Sequence, residues 1–262
     1  MPGAGTIRVC LLRLVLRLMR TDGQGILYTD HRFRPVTPLQ LQPDLVAQAY
    51  DSVLDAICAG RLRPGERITQ EALAARLGVS RQPVLQAFAR LKREGFLADA
   101  GRKGVQVAPL DPRRLQQVYQ VRAELDALAA GLAASLPPAT REAAARAGRA
   151  AIEAGRAALA GGDLARLIDA DMAFHLWLYR ASGNPLIEPT LALHWQHIRR
   201  YMGVVLSQYG VRDPVWREHA AIVKAIAAGD ATQARALAQA HAVEASRSLL
   251  QRLPDPAALR TA

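Results

Sequence analysis

Asp171 and His175 stand four residues apart on the stripe Leu164, Leu167/Ile168, Asp171, Phe174/His175, Leu178. On a helix that spacing projects both side chains from one face, one turn apart. Two later stripes, Val215, His219, Ile222, Ile226 and Ala234, Leu237, His241, Ala245, each set a histidine where a core helix is otherwise apolar. One carboxylate and three imidazoles are therefore directed inward by three separate helices. A lone buried carboxylate is costly unless it is paired or bound to a cation. Imidazole with carboxylate is a donor set for zinc, nickel or manganese. Periodicity alone leaves two readings open: a divalent metal site, or an Asp171 satisfied locally among ordinary core histidines. Arg122 poses a similar question on the stripe Leu115, Val118, Arg122, Leu125, Ala129, Leu132. Its guanidinium either clamps a ligand carboxylate or pairs with Glu218 or Asp171.

The elements that must position these groups are punctuated clearly. From residue 110 to 252 the chain reads as Ala/Leu-rich helices. Pro137-Pro138 ends the first, with Thr140 as N-cap of the next, and Gly161-Gly162-Asp163 ends that helix and caps a third. Gly183-Asn184-Pro185, Asp213-Pro214 and Gly229-Asp230 separate the rest. Six or seven helices joined by short turns predict an antiparallel all-α bundle. Residues 41–109 have a different grammar, short helices followed by two β-prone stretches, and Pro109 and Pro112 mark the junction. The fold is thus expected to be mainly α, with two domains. Residues 1–40 and 253–262 read as tails, the first disordered or amphipathic. Arg8, Arg13, Arg17 and Arg20 interrupt Thr6–Arg20, which is too short and too charged to be a signal-peptide core or a membrane span. A cytoplasmic location and no membrane partner follow as expectations, with Cys10 and Cys58 as reduced thiols.

Residues 70–94 carry a second kind of chemistry. Leu73, Ala74 and Leu77 form the inner face of a short helix, Gly78 supplies a tight turn and Val79 an apolar plug. Ser80 caps a second helix in which Val84, Ala87, Phe88 and Leu91 turn inward. Two short helices around a glycine turn form a helix-turn-helix pattern. The second helix presents Arg81, Gln82, Gln86, Arg90 and Arg93, the group types that reach phosphates and base edges of double-stranded DNA. Gly95-Phe96-Leu97 and Val105-Gln106-Val107 flank the basic turn Gly101-Arg102-Lys103-Gly104 and predict a wing whose tip touches DNA through Arg102 and Lys103.

The net charge of +11 permits nucleic-acid binding without proving it, because the excess is spread along the chain. Half the residues are apolar, which excludes disorder throughout. No His-Glu-x-x-His run, nucleophile elbow or phosphate-cradling glycine loop is present, so an enzyme is not expected. A metal-dependent enzyme with Glu218 as base is the weaker rival.

The run Arg63-Pro64-Gly65-Glu66-Arg67-Ile68, then Leu73-Ala74, then Leu77 to Val84, then Leu91, Glu94-Gly95-Phe96 and Gly101 to Val105 resembles the GntR family over nearly all of residues 45–108. The resemblance implies an N-terminal winged helix and a variable effector domain, usually in repressors of operons for metabolite use. Leu85 departs from it. The family usually has an arginine there that helps to read guanine, which puts the usual operator sequence in doubt. Beyond residue 110 the chain is similar to the FCD effector domain of FadR-type members. That resemblance implies a divalent metal, zinc first and nickel or manganese next, held by Asp171, His175, His219 (after Glu218) and His241. It also implies a small carboxylate effector completing the coordination. Arg122, Asn184 and His197 are expected in the effector pocket. A homodimer would place two winged helices on a two-fold operator, and a metal sensor without organic effector is the alternative.

Overall fold

The computed structural model describes residues 44–101, 104–209 and 214–253. Thr6–Arg20, Cys10, Arg102, Lys103, Asp213 and residues 254–262 lie outside them. No described helix is long and apolar enough to cross a membrane.

The N-terminal domain begins with α1 (Leu45–Cys58), capped by the Asp44 carboxylate, which accepts from the Ala47 amide at 2.9 Å. Strand β1 (Arg67–Ile68) leads into α2 (Gln70–Leu77), whose first turn is closed by Thr69. Gly78 takes a left-handed conformation at φ 66°, which only glycine adopts without strain, and so turns the chain into α3 (Arg81–Arg93). Ser80 is the residue before α3, but its side chain makes no capping bond. Strands β2 (Leu97–Asp99) and β3 (Val105–Val107) complete an antiparallel sheet of order β1-β3-β2. The wing is therefore three-stranded. β1 is too short to register as a periodic run, and Phe96 belongs to the core just ahead of β2 rather than to the strand.

Six helices follow: α4 (Pro112–Ala134), α5 (Pro138–Gly161), α6 (Leu164–Ala181), α7 (Ile187–Tyr209), α8 (Val215–Ala228) and α9 (Ala231–Gln251). Their limits lie at the predicted breaks, with one change: Thr140 is inside α5, which starts at Pro138 because a proline at the first helical position loses no hydrogen bond. Asp163 and Asp230 cap α6 and α9, and Gly162 and Gly229 end α5 and α8 in left-handed geometry. Helix α9 lies along α4, and α5 packs on α6 and α8.

The small residues of α5 are notches for tryptophan. A Cβ on Gly155 would lie 1.8 Å from Cη2 of Trp216, and one on Gly148 would lie 2.4 Å from Cζ2 of Trp177. Trp216 also packs on His219, with ring centroids 5.0 Å apart. Gly155→Ala should therefore destabilise the fold by about 1–3 kcal/mol through overpacking, despite alanine's better helix propensity. Gly161→Ala, with nothing within 4 Å, is the control. Urea midpoints that move equally and upward in both variants would refute the notch.

Helix α7 carries the bundle's contact with the DNA-binding domain. Arg199 pairs with Asp55 at 2.7 Å, Arg200 donates to the Ala108 carbonyl, and Gln196 accepts from the Cys58 thiol. A Cβ on Gly203 would stand 2.7 Å from the Cys58 carbonyl oxygen, so glycine permits the close approach of α1 and α7.

Candidate functional site

His175 on α6, His219 on α8 and His241 on α9 are all buried, and one ring nitrogen from each lies within 4.8 Å of the other two. Nε2 of His219 and Nε2 of His241 are 3.2 Å apart. The helical stripes explain the convergence: Phe174 and Leu178 beside His175, Ile222 and Ile226 beside His219, and Ala238 and Ala242 beside His241 are core residues. Asp171, one turn before His175, lies 3.7 Å from His219 Nε2 through Oδ1. Three of the four sequence-predicted ligands are thus gathered at one point, with the fourth at its edge.

Carboxylates stand behind two of the rings. Glu218 Oε2 is 2.8 Å from His241 Nδ1, and Asp126 Oδ2 is 3.3 Å from His175 Nδ1. A carboxylate at Nδ1 favours the tautomer that leaves the Nε2 lone pair for a cation. Burial and the adjacent Arg122 charge push the His175 pKa down to about 4, against the pull of Asp126, so this ring is neutral at pH 7. A neutral His175 converging with His219 and His241 beside the Asp171 carboxylate fits a divalent metal. Two contacts compete for the same nitrogens: Arg122 Nη2 is 2.6 Å from His175 Nε2, and the Nε2 atoms of His219 and His241 are within hydrogen-bond distance of each other.

Arg122 is buried, and its partner is neither Glu218 nor Asp171. Its Nε donates to Asp126 Oδ2 at 3.2 Å, and the Tyr179 hydroxyl donates to Asp126 Oδ1 at 2.6 Å. Burial pushes the Asp126 carboxyl up, but Arg122, His175 and Tyr179 outweigh it and hold it at about 2. The guanidinium also lies 4.4 Å from the Trp195 ring centroid. The expected salt bridge is corrected for a local reason: Asp126 is on the same helix, four residues on, within direct reach.

Arg122, Asp171 and His241 open into a cavity of about 60 Å³ walled by Tyr119, Leu167, Met202, Val205, Val215, Trp216 and Leu249, among others. At roughly 10–15 Å³ per water, it holds a few waters or a molecule of comparable size. Its lining combines the Arg122 cation and the Asp171 carboxylate with apolar walls.

Two expected effector residues lie elsewhere. Asn184 is on the turn after α6, where its Oδ1 accepts from the Leu186 amide at 3.0 Å, beside a separate surface groove. His197 faces the DNA-binding domain: its Nε2 is 3.0 Å from the Glu94 carbonyl and its ring stacks on Phe96 at 4.2 Å. Its place on α7 is right for a pocket wall, but the helix turns this side away. Burial, then the charge of Arg114, lowers its pKa from 6.5 to about 4. The unfolded chain therefore takes up the proton first. The resulting stability is intact above pH 6.5 and is lost as pH falls towards 4, by on the order of 1–3 kcal/mol. His197→Gln, whose amide can still donate to Glu94, should show a shallower loss across pH 6.5 to 4 in urea titrations. An unchanged slope would place the pH dependence in other groups.

On the other surface, Arg81, Gln82, Gln86 and Arg90 are exposed on α3, while Pro83, Val84, Ala87, Phe88 and Leu91 are buried. Arg81 pairs with Glu71 at 2.9 Å. Arg90 pairs with Glu94 at 2.9 Å and covers the Tyr50 ring at 3.8 Å, and Tyr50 donates to Glu94 at 2.5 Å. Arg90 thereby ties α3 to α1, a role the sequence pattern did not show. Asp126, Tyr179, Trp195 and the Glu218–His241 contact also escaped the sequence reading. Only the Arg122-x-x-x-Asp126 spacing was there to be found.

Comparison with known proteins covers both domains. Residues 45–107 match the description "Bacterial regulatory proteins, gntR family", and residues 117–244 match the FCD domain. A regulator from the TAR-I ttuE-ttuC' intergenic region of Agrobacterium vitis is 32% identical over 50% of this chain and 76% of its own length. A probable D-xylose utilization operon repressor of Paenarthrobacter nicotinovorans is 28% identical over 71% and 80%. A 32% match to the Bacillus subtilis regulator YdhC spans 43% of that protein. The solved structure of Escherichia coli McbR/YncC superposes with a TM-score of 0.66 over 82% of this chain and all of that one, at 22% identity, and so shares the fold. These families are regulators rather than enzymes, and the chain belongs to the GntR family of DNA-binding transcriptional regulators, with an FCD domain behind its winged helix.

Proposed function

We propose that the helical domain holds a divalent metal, zinc first, through His175, His219, His241 and Asp171. We further propose that a small carboxylate bound beside it releases a homodimeric repressor from its operator. The carrying observation is the gathering of three buried imidazoles within 4.8 Å, one of which, His241, lines a cavity that also presents Asp171 and Arg122. Burying three polar rings together is costly, and a shared cation is a partner that all three can take at once. A cation shared by all three rings would replace both the Arg122–His175 and the His219–His241 contacts, leaving the guanidinium to face an acid. A repressor of metabolite use fits the name of the Paenarthrobacter relative.

Helix α7 supports the coupling between sites. Met202, Val205 and Leu206 wall the cavity, while His197, Arg199, Arg200 and Gly203 on the same helix hold the DNA-binding domain. An effector that prefers one position of α7 thereby shifts operator affinity, provided it binds the two states unequally.

The test is the metal content of protein purified without tag or chelator, beside an Asp171→Ala, His219→Ala double variant. About one divalent ion per chain in the parent and little in the variant is expected. Small carboxylates should then raise the melting temperature of the metal-loaded form alone. A parent that takes up no zinc, nickel or manganese would end the proposal and leave a polar core.

A further inference from the structure

The outward face of α3 is an unusual strip. With Pro83, Val84, Ala87, Phe88 and Leu91 buried, the residues facing solvent from Arg81 as far as Ala89 are Arg81, Gln82, Leu85, Gln86 and Ala89. Leu85 is 45% exposed, a large aliphatic side chain with no packing role where it stands. Spacings of three and four put Gln82, Leu85, Gln86 and Ala89 on one continuous surface. The guanidiniums near it are engaged: Arg81 with Glu71, Arg90 with Glu94 and Tyr50.

We infer that Gln82, Leu85 and Gln86 read A·T base pairs, so that the operator half-site is A·T-rich where α3 enters the major groove. A glutamine amide meets adenine N6 and N7 with a matched donor and acceptor, and an aliphatic side chain covers the thymine C5-methyl. Opposite guanine, Leu85 would bury the O6 and N7 acceptors without a donor, which is unfavourable. An amide, a hydrocarbon and a second amide on one strip therefore select adenine and thymine. The Arg81–Glu71 pair is solvent-exposed and weak, so it does not hold Arg81 away from DNA; Arg81 is assigned to a phosphate, a contact that adds affinity without sequence information. The inference rests on α3 being the DNA-reading helix.

The full-length protein is the reagent, and the probe is a randomised duplex library selected and sequenced at one fixed salt concentration. Adenine and thymine are expected at the contacted positions. In the recovered duplex, uracil for thymine at the Leu85 position removes only a methyl group and should weaken binding about fourfold. Leu85→Ala should shrink that penalty, and Gln82→Ala or Gln86→Ala should relax the adenine preference by about tenfold. Leu85→Arg should move the preference towards guanine. All these positions are exposed, and unchanged melting temperatures confirm that the variants are folded. Guanines at the contacted positions that disappear with Arg81→Ala would overturn the inference, as would indifference to uracil at every thymine. Binding to duplex DNA without any sequence enrichment would overturn it while leaving DNA binding intact. Failure to bind any duplex would instead remove the reading of α3 on which it rests.

Discussion

Replacing Asp126 with alanine is expected to lower the unfolding free energy by about 3–5 kcal/mol, the cost typical of leaving a buried charge without its partner. Arg122 is 1% exposed and Asp126 is fully buried, so water cannot stand in for the lost carboxylate. The same change strips the Tyr179 hydroxyl of its acceptor and removes the group behind His175 Nδ1. In a chain of this size, that loss corresponds to a fall in melting temperature of roughly 6–20 °C. Asp126→Asn should cost less, because the amide oxygen can still accept from Tyr179 while the charge is gone. Arg122→Met with Asp126→Leu should recover much of the difference, since an apolar pair of similar volume often matches a buried ion pair in stability. The comparison separates charge from packing. If Asp126→Ala moves the thermal or urea midpoint by under about 1 kcal/mol, Arg122 finds another anion and the pair is not the anchor of this core.

The bundle was readable because its punctuation is chemical: Gly162 and Gly229 occupy left-handed positions, and Asp163 and Asp230 accept from helix amides. His175, His219 and His241 were readable because each interrupts an apolar stripe, and a stripe fixes which way a side chain points. What the stripes do not fix is rotation between helices. That is why Asp171 reaches the edge of the histidine cluster rather than its centre, and why His197 faces Phe96 instead of the cavity. Asp126 does not interrupt the stripe that marks Arg122, although it stands four residues on along α4, where the helical i,i+4 rule makes it a partner. Strand β1 escaped because a two-residue element has no period to detect. Its position is set by pairing Arg67 and Ile68 with Gln106 and Val105 across the sheet.

On the metal reading, zinc supplied at a thousandfold excess over its dissociation constant should stabilise the protein by about 4 kcal/mol. His219→Ala with His241→Ala should abolish that gain, because two of three convergent imidazoles are removed. The more discriminating change is Glu218→Gln. It leaves every expected ligand in place and alters only the group 2.8 Å behind His241 Nδ1. A carboxylate there accepts a hydrogen bond from Nδ1–H and raises the basicity of Nε2, whereas an amide oxygen is a weaker acceptor and the amide can also present its NH2. Loss of such a supporting group typically lowers metal affinity about 10- to 100-fold. Glu218 is 27% exposed through its side chain, so the amide can be solvated and the apo fold should barely change. A structural role would move the apo melting temperature, whereas an orienting role moves zinc affinity by calorimetry and leaves that temperature alone. Zinc stabilising the double histidine variant as strongly as the parent would mean that it binds elsewhere, and the 3.2 Å between the Nε2 atoms of His219 and His241 would then be an ordinary imidazole–imidazole hydrogen bond.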